Sequence, residues 1–101
     1  MLEQKKIIEI AQKAAVANLS SAAVHSVLSE PTVDSQGREA LQITIVLTPD
    51  AVENIKGENV LKMLVEIQDK LQEAGDERFP IMRYATEQEL KELESLDSGD
   101  S

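Results

Sequence analysis

Few side chains in this sequence can do chemistry. His25 is the only histidine, and the only side chain that titrates near neutral pH without perturbation. As a general base it needs a partner within hydrogen-bond reach. It sits among Ala23, Val27 and Ser29 on a predicted strand, where a packed or half-exposed histidine is the commoner role. Cysteine is absent. That removes a thiol nucleophile, a disulfide framework and a thiolate zinc site, and one histidine cannot build a multi-imidazole metal site. Glu66, Asp69 and Glu73 share one side of a predicted helix. Hard cations need oxygens converging from several directions, and Lys62 and Lys70 point to ordinary ion pairing instead. Asp34-Ser35-Gln36-Gly37-Arg38-Glu39 lacks the alternating ligands and distal Glu of a calcium loop, so it reads as a hairpin turn. The four glycines are widely spaced and form no phosphate loop. No serine stands in a Gly-x-Ser-x-Gly elbow. The reading is therefore no catalytic residue, no metal and no cofactor.

Binding chemistry is concentrated in one segment, Asp76 to Tyr84. It holds both aromatics, Phe79 and Tyr84, and two of the three arginines, Arg78 and Arg83. Aromatics, Arg and Met are the side chains enriched at the energetic centres of interfaces. On a strand, Phe79, Ile81 and Arg83 share one face, and Pro80, Met82 and Tyr84 the other. Arg78, Phe79, Met82, Arg83 and Tyr84 are the interface candidates, against the plainer reading that a small protein stores its aromatics in its core. His25, Arg83 and Tyr84 form a second set, candidates for a ligand site.

The elements that must position these groups follow from periodicity. Residues 3–18 show apolar positions at three- and four-residue spacing and predict a helix. Its face is rich in alanine, which permits close approach to a sheet or another helix. Residues 22–30 predict a strand ended by Pro31 and a turn at 34–37, with Gly37 free to take a positive φ. Residues 39–48 alternate cleanly. Leu41, Ile43, Ile45 and Leu47 point one way, and Gln42, Thr44, Val46 and Thr48 the other. Thr48 and Pro49 open a short turn of helix at 50–55. The main helix, 58–74, has Val60, Leu61, Leu64, Ile67 and Leu71 as its apolar stripe and Gly75 as its left-handed cap. Residues 79–85 predict a third strand, with Pro80 at its start or on an edge. Thr86-Glu87-Gln88-Glu89 is a capping box that opens a last short helix.

The order α-β-β-α-β-α predicts an α+β, two-layer domain over 1–94. A small three-stranded mixed sheet carries helices on one face. The first two strands form a hairpin, and the third runs parallel to the second after a helical crossover. Nothing covers the other face. Two free edges and that open face, which bears Val46, predict a homodimer.

The net charge is −9 over 101 residues, and 87–101 hold six acids against Lys91 alone. Residues 95–101 read as a disordered acidic tail. The ten Lys and Arg are scattered, so no basic patch exists to displace counterions from phosphates, which argues against nucleic acid and against an anionic membrane surface. No apolar run approaches a membrane span, and Glu9, Gln12 and Lys13 interrupt the one candidate signal segment, so the cytoplasm is the expected location. Together these features describe a small acidic, non-catalytic interaction or regulatory subunit, an adaptor or antitoxin-like protein, that binds another protein or itself. The alternative is a homodimeric small-molecule-binding domain or small enzyme with its site assembled between two copies.

Overall fold

Local signals set the elements. The computed structural model describes residues 2–98. They form helix α1 (Gln4–Leu19), strands β1 (Val24–Val33) and β2 (Glu39–Leu47), helices α2 (Pro49–Asn54) and α3 (Gly57–Glu73), strand β3 (Phe79–Thr86) and helix α4 (Glu87–Ser98). Thr48 caps α2 by accepting from the Ala51 amide, with Pro49 in the first turn. Gly75 closes α3 at φ +90°. Its amide reaches the Gln72 carbonyl and the Asp76 amide the Leu71 carbonyl, at 3.0 and 2.8 Å, which is the paired-bond ending that a left-handed residue allows. Gly37 takes φ +80° in the β1–β2 turn, where Asp34 Oδ1 accepts from the Gln36 and Arg38 amides. At the start of α4, Thr86 and Glu89 exchange side-chain to backbone bonds of 3.1 Å in both directions.

The sheet has the order β1-β2-β3, with β1 antiparallel to β2 and β3 parallel to it. The α+β reading and the mixed hairpin-plus-crossover sheet are thus the observed architecture. α1 packs on α3 and on β1, forming the second layer. Between the layers, Ile7, Ala11, Ala14 and Ala15 of α1 and Met63, Ile67 and Leu71 of α3 meet Val27, Leu41, Ile43, Ile45 and Leu47. Each large aliphatic side chain buried this way contributes about 1.5–3 kcal/mol. The buried alanines are what let α1 come close.

Three local expectations change. β1 does not stop at Pro31 but runs to Val33, with Pro31 opposite Leu41. β1 is an edge strand, and an edge tolerates a residue without an N–H donor. Met63 is buried at the centre of α3 while Leu61 is exposed. The stripe is centred on 63, 67 and 71, one helical step away from Leu61. The tail expected at 95–101 overlaps the last turn of α4 at 95–98 and otherwise lies outside the described residues. Among the described residues no helix is long and apolar enough to cross a membrane.

Candidate functional site

Alternation along the three strands divides their side chains between two faces. The strict apolar set of β2 turns to the helices. By register, Pro80, Met82 and Tyr84 of β3 turn the same way, since Tyr84 stands opposite Ile45 and Met82 opposite Ile43. Met82 and Tyr84 pack against the core cluster. The opposite face is built from four rows across the sheet. They are Thr32, Ala40 and Phe79; Glu30, Gln42 and Ile81; Leu28, Thr44 and Arg83; and Ser26, Val46 and Ala85.

Helices α1 and α3 pack on the opposite side of the sheet from these rows, yet the middle strand is buried on this side too. Val46 is 1% exposed, and Ala40 and Thr44 are also buried. The flanking side chains rise on either side: Leu28 is 46%, Phe79 48% and Ile81 38% exposed. Through the rows of Ala40, Gln42 and Thr44 the face is a shallow trough, its edges raised by Leu28, Phe79 and Ile81 and by the polar Glu30 and Arg83; at the fourth row Val46 stands between the smaller Ser26 and Ala85. The face carries one acid, Glu30, and one base, Arg83, on adjacent rows of opposite edge strands. Neither makes an ion pair among the described residues.

The sequence-predicted candidates are placed as follows. Phe79 and Arg83 stand on the trough wall, and Val46 lies buried in the fourth row. Met82 and Tyr84 lie on the helix side. Arg78 is engaged within the chain. Its Nε and Nη2 donate to Asp76 Oδ1 and Oδ2 at 3.0 and 2.7 Å, and Asp76 is 1% exposed. Asp76 also accepts from the Leu2 amide at 3.1 Å, and Arg78 Nη2 donates to the Leu2 carbonyl at 3.4 Å. The Arg78 guanidinium, opposed by the cost of burial and assisted by the Arg78 and Leu2 backbone amides, holds the Asp76 carboxyl well below the usual carboxylate range. The pair is a clamp that ties the start of the chain to the α3–β3 loop. It leaves no free guanidinium for a partner.

His25, Arg83 and Tyr84 do not converge. Tyr84 and Arg83 project from opposite faces of β3. The β1–β2 ladder shifts between Val24 and Ser26, which leaves His25 as a bulged residue. Its Nε2 lies 2.5 Å from Glu87 Oε2, and Glu87 Oε1 lies 3.0 Å from Lys91 Nζ. Hydrogen bonding and charge from Lys91, and then the charge of His25, lower the Glu87 pKa. This exposed bridge runs from β1 to the first turn of α4, past the end of β2. The Tyr84 hydroxyl is buried without a hydrogen-bond partner among the described residues, and burial pushes its pKa up to about 12. Such a group is a poor acid at neutral pH.

Other concave places are shallow. One is lined by Glu39, Gly75, Asp76, Glu77 and Arg78, with its only cation already bound to Asp76. Another, lined by Asn18, Leu61, Lys62, Val65, Glu66 and Asp69, lies on the helix layer. At the α2–α3 junction Lys56 and Gly57 stand beside Glu53 and Glu58, a charge balance that repels phosphate. Among the described residues no group of three or more His, Asp or Glu side chains gathers to hold a metal.

Sequence reasoning missed Glu30, Leu28 and Ile81 as site residues. Ile81 was legible as a facemate of Phe79 and Arg83. Leu28 and Glu30 join them only through the β1–β2–β3 register. Comparison with models of known protein families gives no match, and comparison with curated proteins gives no relative.

Proposed function

We propose that this chain is a small, acidic, non-catalytic interaction subunit, adaptor or antitoxin-like in kind, that docks a protein chain on the open face of its sheet and works in the cytoplasm. One observation carries the reading. On a chain of net charge −9, this face combines exposed Leu28, Phe79 and Ile81 with one acid and one base. Contiguous apolar surface rimmed by polar groups is the mark of a protein-binding surface. The alternative, a small-molecule site using His25, Arg83 and Tyr84 between two copies, has less support because Tyr84 turns away from Arg83.

The test compares surfaces. The full chain is tagged and recovered gently from its host, beside Leu28→Asp/Ile81→Asp and, as a control on the helix layer, Leu61→Asp/Val65→Asp. A stoichiometric protein, or a second copy, retained by wild type and control but lost from the open-face variant supports the reading. Retention by the open-face variant, with folding unchanged by circular dichroism, rejects it.

A further inference from the structure

The open face is self-complementary, and we infer that its occupant is a second copy of this chain, locked by reciprocal pairing of Arg83 in each copy with Glu30 in the other. The inference rests on the docking role just proposed and names its partner.

Three observations carry it. First, Glu30 and Arg83 are the only charged residues in the four rows of the face, and neither makes an ion pair among the described residues. A two-fold interface is isologous, so a surface carrying one acid and one base can satisfy both at once against itself. Second, the face is neutral while the chain is at −9. Two copies repel through most of their surfaces, and this face lets them meet without adding to that repulsion. It offers no excess of either sign to steer a charged foreign partner. Third, shape agrees with charge. An in-plane two-fold that exchanges the Glu30 and Arg83 positions crosses the strands of the two copies at about 70°, given ordinary strand spacing and rise. That places Leu28 near Leu28 and Ile81 near Ile81 of the other copy. It falls toward the orthogonal class of sheet packing, in which the walls of one trough cross the floor of the other.

The experiment is sedimentation equilibrium of the full chain at low salt, with circular dichroism to verify folding. Wild type is expected to dimerise. Arg83→Glu and Glu30→Arg each place like charges face to face and should weaken the dimer by at least about tenfold. Mixing these two variants should restore a one-to-one heterodimer, because the acids of one copy then meet the bases of the other. The double variant E30R/R83E should also dimerise like wild type. Restoration on mixing is the decisive result, since a within-chain effect cannot produce it. A wild type that stays monomeric at high micromolar concentration overturns the inference, as does a dimer indifferent to both single reversals. Failure of the docking role itself is read separately. A monomer whose open-face variants lose a different bound protein keeps that role and loses only the second copy as occupant.

Discussion

Ile43 and Ile45 of β2 point into the helix layer and are fully buried with Ala11, Met63 and Ile67. Thr44, between them in sequence, points the other way and lies in one row with Leu28 and Arg83. The same backbone therefore serves two surfaces with different physics. On the helix side, residues of α1, β1, β2 and α3 interlock in one cluster, and close packing makes each large aliphatic one matter. On the other side, the exposed Leu28, Phe79 and Ile81 sit on the edge strands, and the buried Ala40, Thr44 and Val46 sit in the middle. The first surface holds the chain folded. The second is the surface proposed to bind a partner.

The sharpest way to break this contrast is to truncate the helix side. Ile45→Ala and Ile67→Ala should each destabilise the chain by about 2–5 kcal/mol, since both sites are closed and leave a cavity. Urea unfolding, with the midpoint read at constant slope, measures this. A loss no greater than that of an open-face truncation would erase the distinction.

Next in size is the Asp76–Arg78 clamp, which lies beyond the edge of both surfaces. Asp76→Ala leaves the Arg78 guanidinium unpaired in a nearly closed site and should cost about 3 kcal/mol. Acid tests the same pair. The folded-state pKa of Asp76 is depressed, so its contribution is present in full above the unfolded value near 4 and fades as pH falls below it toward the folded value. Wild type should lose stability steeply below about pH 4, and Asp76→Ala should show a shallower acid limb. Parallel limbs would mean that the clamp contributes nothing.

A smaller effect of opposite sign is expected at Tyr84. Its buried hydroxyl has no partner among the described residues, so Tyr84→Phe removes an unpaid desolvation cost and should stabilise the chain by about 0.5–1 kcal/mol. Because the folded-state pKa is raised to about 12, the neutral phenol is favoured by folding. That contribution is intact below the unfolded value near 10 and is lost as pH rises toward 12. Tyr84 is the only tyrosine and there is no tryptophan, so its ultraviolet titration reports this one group. A midpoint near 10 in the folded protein would contradict its burial.

Much of this arrangement was legible in the sequence because its signals are local. The alternation from Leu41 to Leu47 names the core face of β2 without reference to any other strand. Gly75 and the Thr86–Glu89 box mark helix ends by chemistry confined to a few residues. What stayed hidden depends on distant pairing. Nothing local told that Asp76 would meet Leu2, 74 residues away, or that His25 would reach Glu87. The alternation of β3 separated Phe79, Ile81 and Arg83 from Met82 and Tyr84, but which set met the core depended on its register against β2. Leu28 and Glu30 became part of a site only when β1 was placed on the far side of β2. The proposed docking surface was thus the least legible part, since it is assembled from edge residues of strands far apart in sequence.

The smallest expected effect on stability bears most directly on the contrast. Leu28→Ser and Ile81→Ser replace residues that are already close to half exposed, so little apolar area returns to water in the isolated chain. Each should change the unfolding free energy by no more than about 0.5 kcal/mol, the range of ordinary surface substitutions. Both positions flank the floor of the trough without closing it, and no cavity forms when they shrink. If the open face binds a protein chain, the same substitutions should weaken that association strongly. Unfolding in urea at a concentration low enough to keep copies apart measures the first quantity, and sedimentation at high concentration the second. A substitution that moves association while leaving unfolding unchanged places Leu28 and Ile81 on a working surface. One that moves unfolding by 2 kcal/mol or more, as a core truncation does, would mean that the open face is a second core face and that the division between the two sides of the sheet is wrong.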